Sequence, residues 1–421
     1  MGNVYLRTII NRSIMKSIYS RFMLQCLCSI GVAIGIISCG GDNNTSITAP
    51  TNNRNMNYES VVLAANSLSV TVAESLNSQP NTPYVSVTIC EPGTYTCKTI
   101  HNIMIDTGSS GLRIFASAVK SLNLGLTKSN IYECAGFGSG VTWGTVQIAD
   151  IQMAGELASS MAIQVIDDGN NVTVPSACSN GQPTNQTPAV MGANGLLGVS
   201  NTLYDNGPYF DCIPSASNYC LISPPANYQI QNPIAAFAVN NNGLIIRLPQ
   251  ISAIGATTVT GSVIFGIDTQ ANNSSNGANF IPANSNGNFT TVFNNVAYPQ
   301  SYIDSGTNYL VFSGENNSSE LPICSANIFA ALYCPTSTKN FTATMALKNN
   351  VTSTVNFSVA TANLGASYQA FNNIAGPPTV IPGNQIFAWG LPFFFGRSVY
   401  VGIAGKTSNA GTGPYFAYTD N

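Results

Sequence analysis

The sequence predicts an all-β fold. From about residue 60 onward, short apolar and β-branched runs are separated by Gly, Asn and Pro, which is the pattern of strands joined by turns. Examples of such runs are residues 84–89, 145–151, 243–248 and 398–403. Only residues 116–122 and 326–332 have the spacing of short helices. The chain of 421 residues is 44% hydrophobic and 7% charged, so it can bury a large core and lacks the composition of a disordered chain.

The N-terminal segment is expected to be a bacterial lipoprotein signal peptide over residues 1–38. Scattered positive charge precedes an apolar run, which ends at Cys39 in a sequence that resembles a lipobox. Cys39 is the expected lipidation site, and the polar residues 39–58 are expected to form a flexible tether. The protein is therefore expected in the cell envelope, in the periplasm or at the outer membrane. An uncleaved transmembrane anchor is the alternative, because the apolar run is near the lower length limit for a span.

Eight cysteines follow Cys39, and an even set in an exported protein suggests disulfides. Near neighbours can each close a small hairpin, which leaves one further pair. The resulting set is Cys90–Cys97, Cys212–Cys220, Cys324–Cys334 and Cys134–Cys178.

The composition argues against two classes of function. The 14 basic and 17 acidic residues include no basic patch, so nucleic-acid binding is not expected. Zinc is an alternative use of the cysteines, but no Cys-x-x-Cys pair follows Cys39 and the chain has a single histidine, His101. We therefore expect no metal site, and His101 is expected to be structural because it lacks partners for catalysis.

Two segments, residues 103–109 and 301–307, repeat one pattern. Each is a run of mostly apolar, strand-forming residues that ends in Asp-(Thr/Ser)-Gly-(Ser/Thr). One such triplet is usually a turn, but two, each after a strand-like run, are less easily accidental. If the two loops meet, the carboxylates of Asp106 and Asp304 face each other, and such a pair activates water for peptide hydrolysis.

The residues beside each aspartate suit this chemistry. They are Thr107, Gly108 and Ser109 in the first segment and Ser305, Gly306 and Thr307 in the second. The glycines allow the loops to approach closely, while Ser109 and Thr307 can hydrogen-bond the outer carboxylate oxygens. Two adjacent carboxylates cannot both ionise easily, so one remains an acid while the other acts as a base.

The chain resembles the pepsin-like aspartic proteases, in the order of that family's landmarks over roughly residues 80–405. The landmarks are the two aspartate motifs, residues 137–144 (FGSGVTWG) as a flap hairpin, residues 194–198 (NGLLG) and 389–394 (WGLPFF) as hydrophobic–glycine partners of the catalytic loops, and residues 261–268 (GSVIFGID) after the lobe crossover. The resemblance implies a bilobal fold with a central cleft and a flap. It implies an N-terminal lobe over residues 59–230 and a C-terminal lobe over residues 231–421.

The flap residues differ from the family in one respect. Phe137 stands where the family mostly carries Tyr, so the apolar cover is kept and the phenol hydrogen bond is lost. Phe137 and Gly138 are expected over the substrate. Trp143 is a candidate for the cleft lining, although aromatic residues in β proteins more often pack in the core or within a hairpin.

The function expected from these features is an exported, membrane-anchored aspartic endopeptidase. Asp106 and Asp304 would act on a peptide or protein substrate through a shared water, without a metal or organic cofactor. A monomer is expected. The alternative is a catalytically silent lipoprotein that binds a peptide or glycan in the cleft, and the missing flap hydroxyl keeps this alternative open.

Overall fold

The computed structural model describes residues 64–126, 131–169, 173–211, 220–314, 317–324, 332–348, 351–361, 367–378 and 386–421. The expected signal peptide (1–38), the lipidation site Cys39 and the tether (39–58) lie outside these ranges. The described residues belong to one compact unit. None of the helices in the described ranges is long and apolar enough to cross a membrane.

The all-β prediction is confirmed, because strands dominate both halves of the chain. The strands before residue 230 are β1 (Ser67–Ala73), β2 (Thr82–Cys90), β3 (Cys97–Asp106), β4 (Ser110–Phe115), β5 (Gly125–Leu126), β6 (Ile131–Phe137), β7 (Gly140–Met153), β8 (Glu156–Ile166), β9 (Gly195–Val199), β10 (Tyr209–Asp211) and β11 (Cys220–Ile222). Those that follow are β12 (Gly243–Leu248), β13 (Val259–Phe265), β14 (Asn279–Pro282), β15 (Phe289–Phe293), β16 (Val296–Ile303), β17 (Leu310–Val311), β18 (Lys339–Ala346), β19 (Thr352–Val359), β20 (Ala375–Gly376), β21 (Ala388–Trp389), β22 (Arg397–Gly402), β23 (Thr407–Ser408), β24 (Gly411–Thr412) and β25 (Tyr415–Asp420).

The helices in the described ranges are short. They are α1 (Ala116–Val119), α2 (Ser176–Ser179) and α3 (Pro188–Met191), with 3-10 turns at Ala226–Tyr228, Pro233–Ala236, Ala271–Asn273 and Leu391–Phe394. The helix predicted over residues 116–122 is limited to α1, whose first turn has neither a capping side chain nor an acidic residue. Nearly all of the other predicted helix, residues 326–332, lies outside the described ranges.

The largest sheet contains strands from both halves of the chain. Its order is β11-β10-β6-β7-β8-β4-β9-β3-β2-β1-β13-β12-β22-β25-β14, with β5 paired to β7. The two halves join where β1 runs antiparallel to β13, from the pair Ser67 and Ile264 to the pair Val72 and Val259. A second sheet has the order β19-β18-β15-β16-β21-β17-β20. The division into lobes at residues 230 and 231 stays a prediction.

The central strands are buried on both faces, which explains their continuous apolar sequences. All five residues of β9 are buried, as are five of the six in β22. In the second sheet the core is aromatic: the ring of Phe387 lies 5.1 Å from that of Phe312 and 4.5 Å from that of Trp389. These buried elements support the ends of β3 and β16, where the aspartates lie.

Three of the four expected disulfides are present. Cys90–Cys97 closes the β2–β3 hairpin, Cys134–Cys178 joins β6 to α2, and Cys324–Cys334 closes a short loop in the second half. The expected Cys212–Cys220 pair lies outside the described residues, since Cys212 falls in a gap.

Candidate functional site

The first aspartate loop is held by a strand inserted between its two arms. Strand β3 ends at Asp106 and β4 leaves the loop at Ser110; β9 lies between them, parallel to β3 and antiparallel to β4. A Cβ at Gly198 would lie 2.8 Å from the carbonyl oxygen of Ser109, so only glycine allows this approach. The amide of Ser200 donates to that carbonyl at 2.8 Å. The apolar-glycine sequence of β9 therefore fixes the backbone of the Asp106 loop.

The second aspartate loop repeats this construction. Strand β21 lies between β16 and β17, parallel to the first and antiparallel to the second. The amide of Asp304 donates to the carbonyl of Trp389 at 3.0 Å. A Cβ at Gly390 would lie 2.1 Å from the carbonyl oxygen of Tyr309, which again requires glycine.

The two loops meet through reciprocal hydrogen bonds. The Thr107 hydroxyl donates to the carbonyl of Ile303 at 2.9 Å and accepts from the amide of Ser305 at 2.9 Å. The Ser305 hydroxyl donates to the carbonyl of Ile105 at 2.8 Å and accepts from the amide of Thr107 at 3.1 Å. Both side chains are buried. Each loop thus satisfies buried backbone groups of the other, which fixes the distance between them.

Each carboxylate is oriented by its own loop. Asp106 accepts from the amide of Gly108 at 2.8 Å and from the hydroxyl of Ser109 at 2.5 Å. Asp304 accepts in the same way from the amide of Gly306 at 2.7 Å and the hydroxyl of Thr307 at 2.6 Å.

The carboxyl groups of Asp106 and Asp304 lie side by side, each against the glycine of the other loop. Burial raises the pKa of Asp304 well above its usual range, and the charge of Asp106 and the hydrogen bond to it act in the same direction. The glycines make this proximity possible: a Cβ at Gly108 would lie 2.7 Å from the Asp304 carboxyl carbon, and one at Gly306 would lie 2.7 Å from an Asp106 oxygen. A pair of this kind retains a proton at pH values where an isolated carboxyl group has lost it.

The pair opens into a cavity of about 890 Å³. Its size lies within the range of ligand sites in proteins. Apart from the two aspartates, none of the described lining residues carries a charge. The lining combines amide side chains with apolar ones, including Asn77, Gln79, Gln182, Asn185, Asn308, Met104, Met191, Leu196, Val311 and Ile386.

The β6–β7 hairpin contributes one wall of this cavity. Phe137 and Gly138, both singled out in the sequence, lie at its tip and line the cavity. Phe137 is half-buried and Gly138 is exposed. Segment 183–185 holds the other edge of the tip, since Val141 donates to the carbonyl of Pro183 at 2.9 Å.

Of the two places considered for Trp143, the structure shows packing in an apolar cluster rather than the cavity lining. It is buried, outside the cavity lining, with its ring stacked 5.0 Å from Tyr132 and in edge contact 5.4 Å from Phe210. It packs in one apolar cluster with Cys134 and Cys178, so the expectation that it lines the cavity is corrected. His101 is exposed, with its Nδ1 atom 2.8 Å from the hydroxyl of Ser86, and also lies outside the lining.

Sequence reasoning missed two features of the site. Tyr302 lines the cavity two residues before Asp304, and burial, with the charges of Asp304 and Asp106, raises the pKa of its phenol. Strand alternation was the available signal, because residues two apart on a strand share a face. The second feature is the buried cation Arg113 on β4, whose signal was a charge inside an apolar run.

Comparison with known proteins gives one result. Residues 62–418 match the family model described as "Protein of unknown function (DUF3443)", which covers most of the chain. No curated protein matches the chain.

Proposed function

We propose that this chain, which belongs to the family DUF3443, is an aspartic endopeptidase that hydrolyses peptide bonds with Asp106 and Asp304. The observation that carries the proposal is the contact between two equivalently built loops, which brings two buried carboxyl groups together. Such a pair has one proton to donate and one site to accept a proton, which are the two requirements of amide hydrolysis by water.

The chemistry follows from the shared proton. A water held between the carboxyl groups gives a proton to the ionised one as its oxygen attacks the peptide carbonyl carbon. The protonated carboxyl group donates to the carbonyl oxygen, which gives a neutral tetrahedral diol. The carboxyl group that took the water proton then gives it to the amide nitrogen, and a diol hydroxyl gives its proton to the other carboxylate as the C–N bond breaks. An amine and a carboxylic acid leave, and the pair again holds one proton. The raised pKa of Asp304, caused by burial and by the neighbouring Asp106, means that the pair holds one proton before attack.

The proposal includes the bilobal arrangement implied by the sequence, with the cavity as the cleft and the β6–β7 hairpin as the flap. Its support is the twofold repetition of the strand–aspartate loop–strand unit with its inserted strand. Phe137 offers an apolar cover without a hydroxyl, whereas Tyr302 provides a phenol within the same cavity. Apart from the two aspartates, the lining residues in the described ranges are uncharged, which favours neutral side chains beside the scissile bond.

We place this activity in the cell envelope, with the chain anchored through a lipid on Cys39. The disulfides support export because such bonds persist in oxidising compartments. Metabolic labelling with a fatty-acid analogue tests the anchor. Wild type should incorporate label and Cys39→Ala should not; equal labelling would reject lipidation at this cysteine.

The test of the activity is cleavage of a peptide library between pH 3 and 7 by protein without residues 1–39. Asp106→Asn should lower the rate by about 10²–10⁴-fold, the range for loss of a general acid or base. The matched control is Asp167→Asn, which makes the same carboxylate-to-amide change at an exposed position and should retain the wild-type rate. If wild type and Asp106→Asn behave alike at every pH, the proposal is wrong.

A binding protein without catalysis is the second candidate. The observation in its favour is the amide-rich cavity wall, whose side chains can hydrogen-bond peptide or sugar groups without any reaction. Binding of library peptides by wild type and Asp106→Asn with equal affinity, and without cleavage by either, would identify this function.

A further inference from the structure

Arg113 is a buried cation that joins three elements. It lies on β4, which begins directly after the Asp106 loop, and its Nη1 donates to the carbonyl of Ser110 at 2.9 Å. Its Nη2 forms an ion pair with Glu133 on β6 and lies 3.3 Å from a carboxylate oxygen of Asp205. The side chain therefore ties the first aspartate loop to the hairpin and to the segment after β9.

Burial of the Arg113–Glu133–Asp205 network carries an unfavourable desolvation free energy. Side chains of Arg113 and Glu133 are only 3% and 0% exposed, and burying such charges costs several kcal/mol per ion before pairing. Arg113 Nε and Glu133 Oε2 have no hydrogen-bond partner. Burial raises the pKa of Glu133, while the Arg113 charge opposes that shift. Apolar side chains of similar size would serve packing alone at least as well, so the network calls for another explanation.

The hairpin tip supplies that explanation. The guanidinium carbon of Arg113 lies 5.7 Å from the centre of the Phe137 ring, within the range of a cation–π contact. Glu133 and Phe137 are four residues apart on β6, so they share a face of the strand. Arg113 contacts this face at both positions, and Phe137 is the one that lines the cavity with Asp106 and Asp304.

We propose that Arg113 is a positioning residue, which holds the β6–β7 hairpin and the Phe137 ring at a fixed height over the Asp106–Asp304 pair. Its importance for catalysis rests on the proposed function; its effect on the hairpin does not. Other contacts hold the strands of the hairpin and the opposite edge of its tip, among them the Cys134–Cys178 disulfide and the hydrogen bond from Asn185 to Ser139, whereas Arg113 lies over the Phe137 ring.

Hydrogen–deuterium exchange of the full chain tests this role. Arg113→Lys keeps the charge and loses the planar fork that reaches Glu133 and Phe137 together. We expect amides of residues 135–142 to exchange about tenfold faster or more, as for the loss of one hydrogen bond to a charged group. Arg397→Lys is the matched control, because Arg397 also pairs with an aspartate, at 2.9 Å, and lies over a phenylalanine ring, at 4.6 Å, outside the aspartate cavity.

Peptide kinetics provide the second readout. Arg113→Lys should raise KM for a cleaved peptide more than it lowers kcat, because the aspartate pair itself is unchanged. If Arg113→Lys does not fold, the same exchange measurement is made on Glu133→Gln, which keeps the side-chain volume and removes the charge. Residues 135–142 should again exchange faster than in wild type. Unchanged exchange at the tip, or a uniform increase across the whole sheet, would overturn the proposal. Absence of peptidase activity in wild type would reject the proposed function and leave the exchange result to decide the role of Arg113.

Discussion

Replacing Ser305 by Ala removes one of the two hydroxyl groups that join the aspartate loops. The Ser305 side chain is fully buried; its oxygen donates to the carbonyl of Ile105 at 2.8 Å and accepts from the amide of Thr107 at 3.1 Å. The alanine side chain can neither donate nor accept a hydrogen bond, so both buried backbone groups lose this partner.

The expected loss follows from these two groups. Each buried group left without a hydrogen bond costs about 1–3 kcal/mol, so Ser305→Ala should lower the free energy of unfolding by about 2–6 kcal/mol. This is a large part of the roughly 5–15 kcal/mol that stabilises a typical protein. Activity should fall further than stability alone explains, because the distance between the carboxyl groups is no longer fixed.

Urea unfolding with intact disulfides, followed by tryptophan fluorescence, measures the change. The control is Thr99→Ala, which removes a hydroxyl that is hydrogen-bonded to Thr88 at 2.8 Å on the exposed face of β3. This control should change stability by about 0.5 kcal/mol or less. If Ser305→Ala costs no more than Thr99→Ala, the loops do not meet as described and the reasoning fails.

Three further changes have defined outcomes. The raised pKa of Asp304 means that the folded chain keeps a proton which the unfolded chain releases above about pH 4, so stability falls as the pH rises from there through the folded pKa. Asp304→Asn has no carboxyl group to ionise at this position, so it should unfold at a higher urea concentration than wild type at pH 7 and should not cleave peptides. A lower urea midpoint than that of wild type would contradict the raised pKa of Asp304. Gly108→Ala places a Cβ 2.7 Å from the Asp304 carboxyl carbon and should abolish cleavage; a wild-type rate would reject the close contact. Cys178→Ser opens the Cys134–Cys178 bond, of sequence separation 44, and should destabilise the chain by about 4 kcal/mol in thermal or urea unfolding; a change under about 1 kcal/mol would show that the bond does not constrain the unfolded chain.

The aspartate loops were predictable because their signals are local. An apolar run before each Asp, a glycine two residues later and a hydroxyl three residues later are all read within seven positions. Those residues occupy the expected places, with Ser109 and Thr307 bonded to the carboxylates. The insertion of β9 and β21 between the arms of the loops depends on contacts between distant segments, and only the resemblance to a known family indicated it.

The remaining features depend on side-chain packing that the sequence does not encode locally. Alternation along β7 does not show which face of the strand carries the core. Trp143 lies on the face that packs against the Cys134–Cys178 disulfide, and Cys178 is distant in the sequence. The partners of Arg113 lie 20 and 92 residues away, so no window of sequence shows that its charge is neutralised. A buried charge inside the apolar run of β4 was nonetheless a visible exception in a chain that is 7% charged.

The most direct test of the central claim is calorimetric binding of a statyl peptide at about pH 5 to wild type and to Asp304→Ala. The statyl hydroxyl imitates the tetrahedral diol, so it reports an assembled pair of carboxyl groups without requiring the natural substrate. Transition-state analogues gain at least about 100-fold in affinity from such contacts. We therefore predict that the Kd of Asp304→Ala for the statyl peptide is at least about 100-fold larger than that of wild type. Equal affinity for both proteins, or binding to neither, would contradict the claim that Asp106 and Asp304 form a catalytic pair.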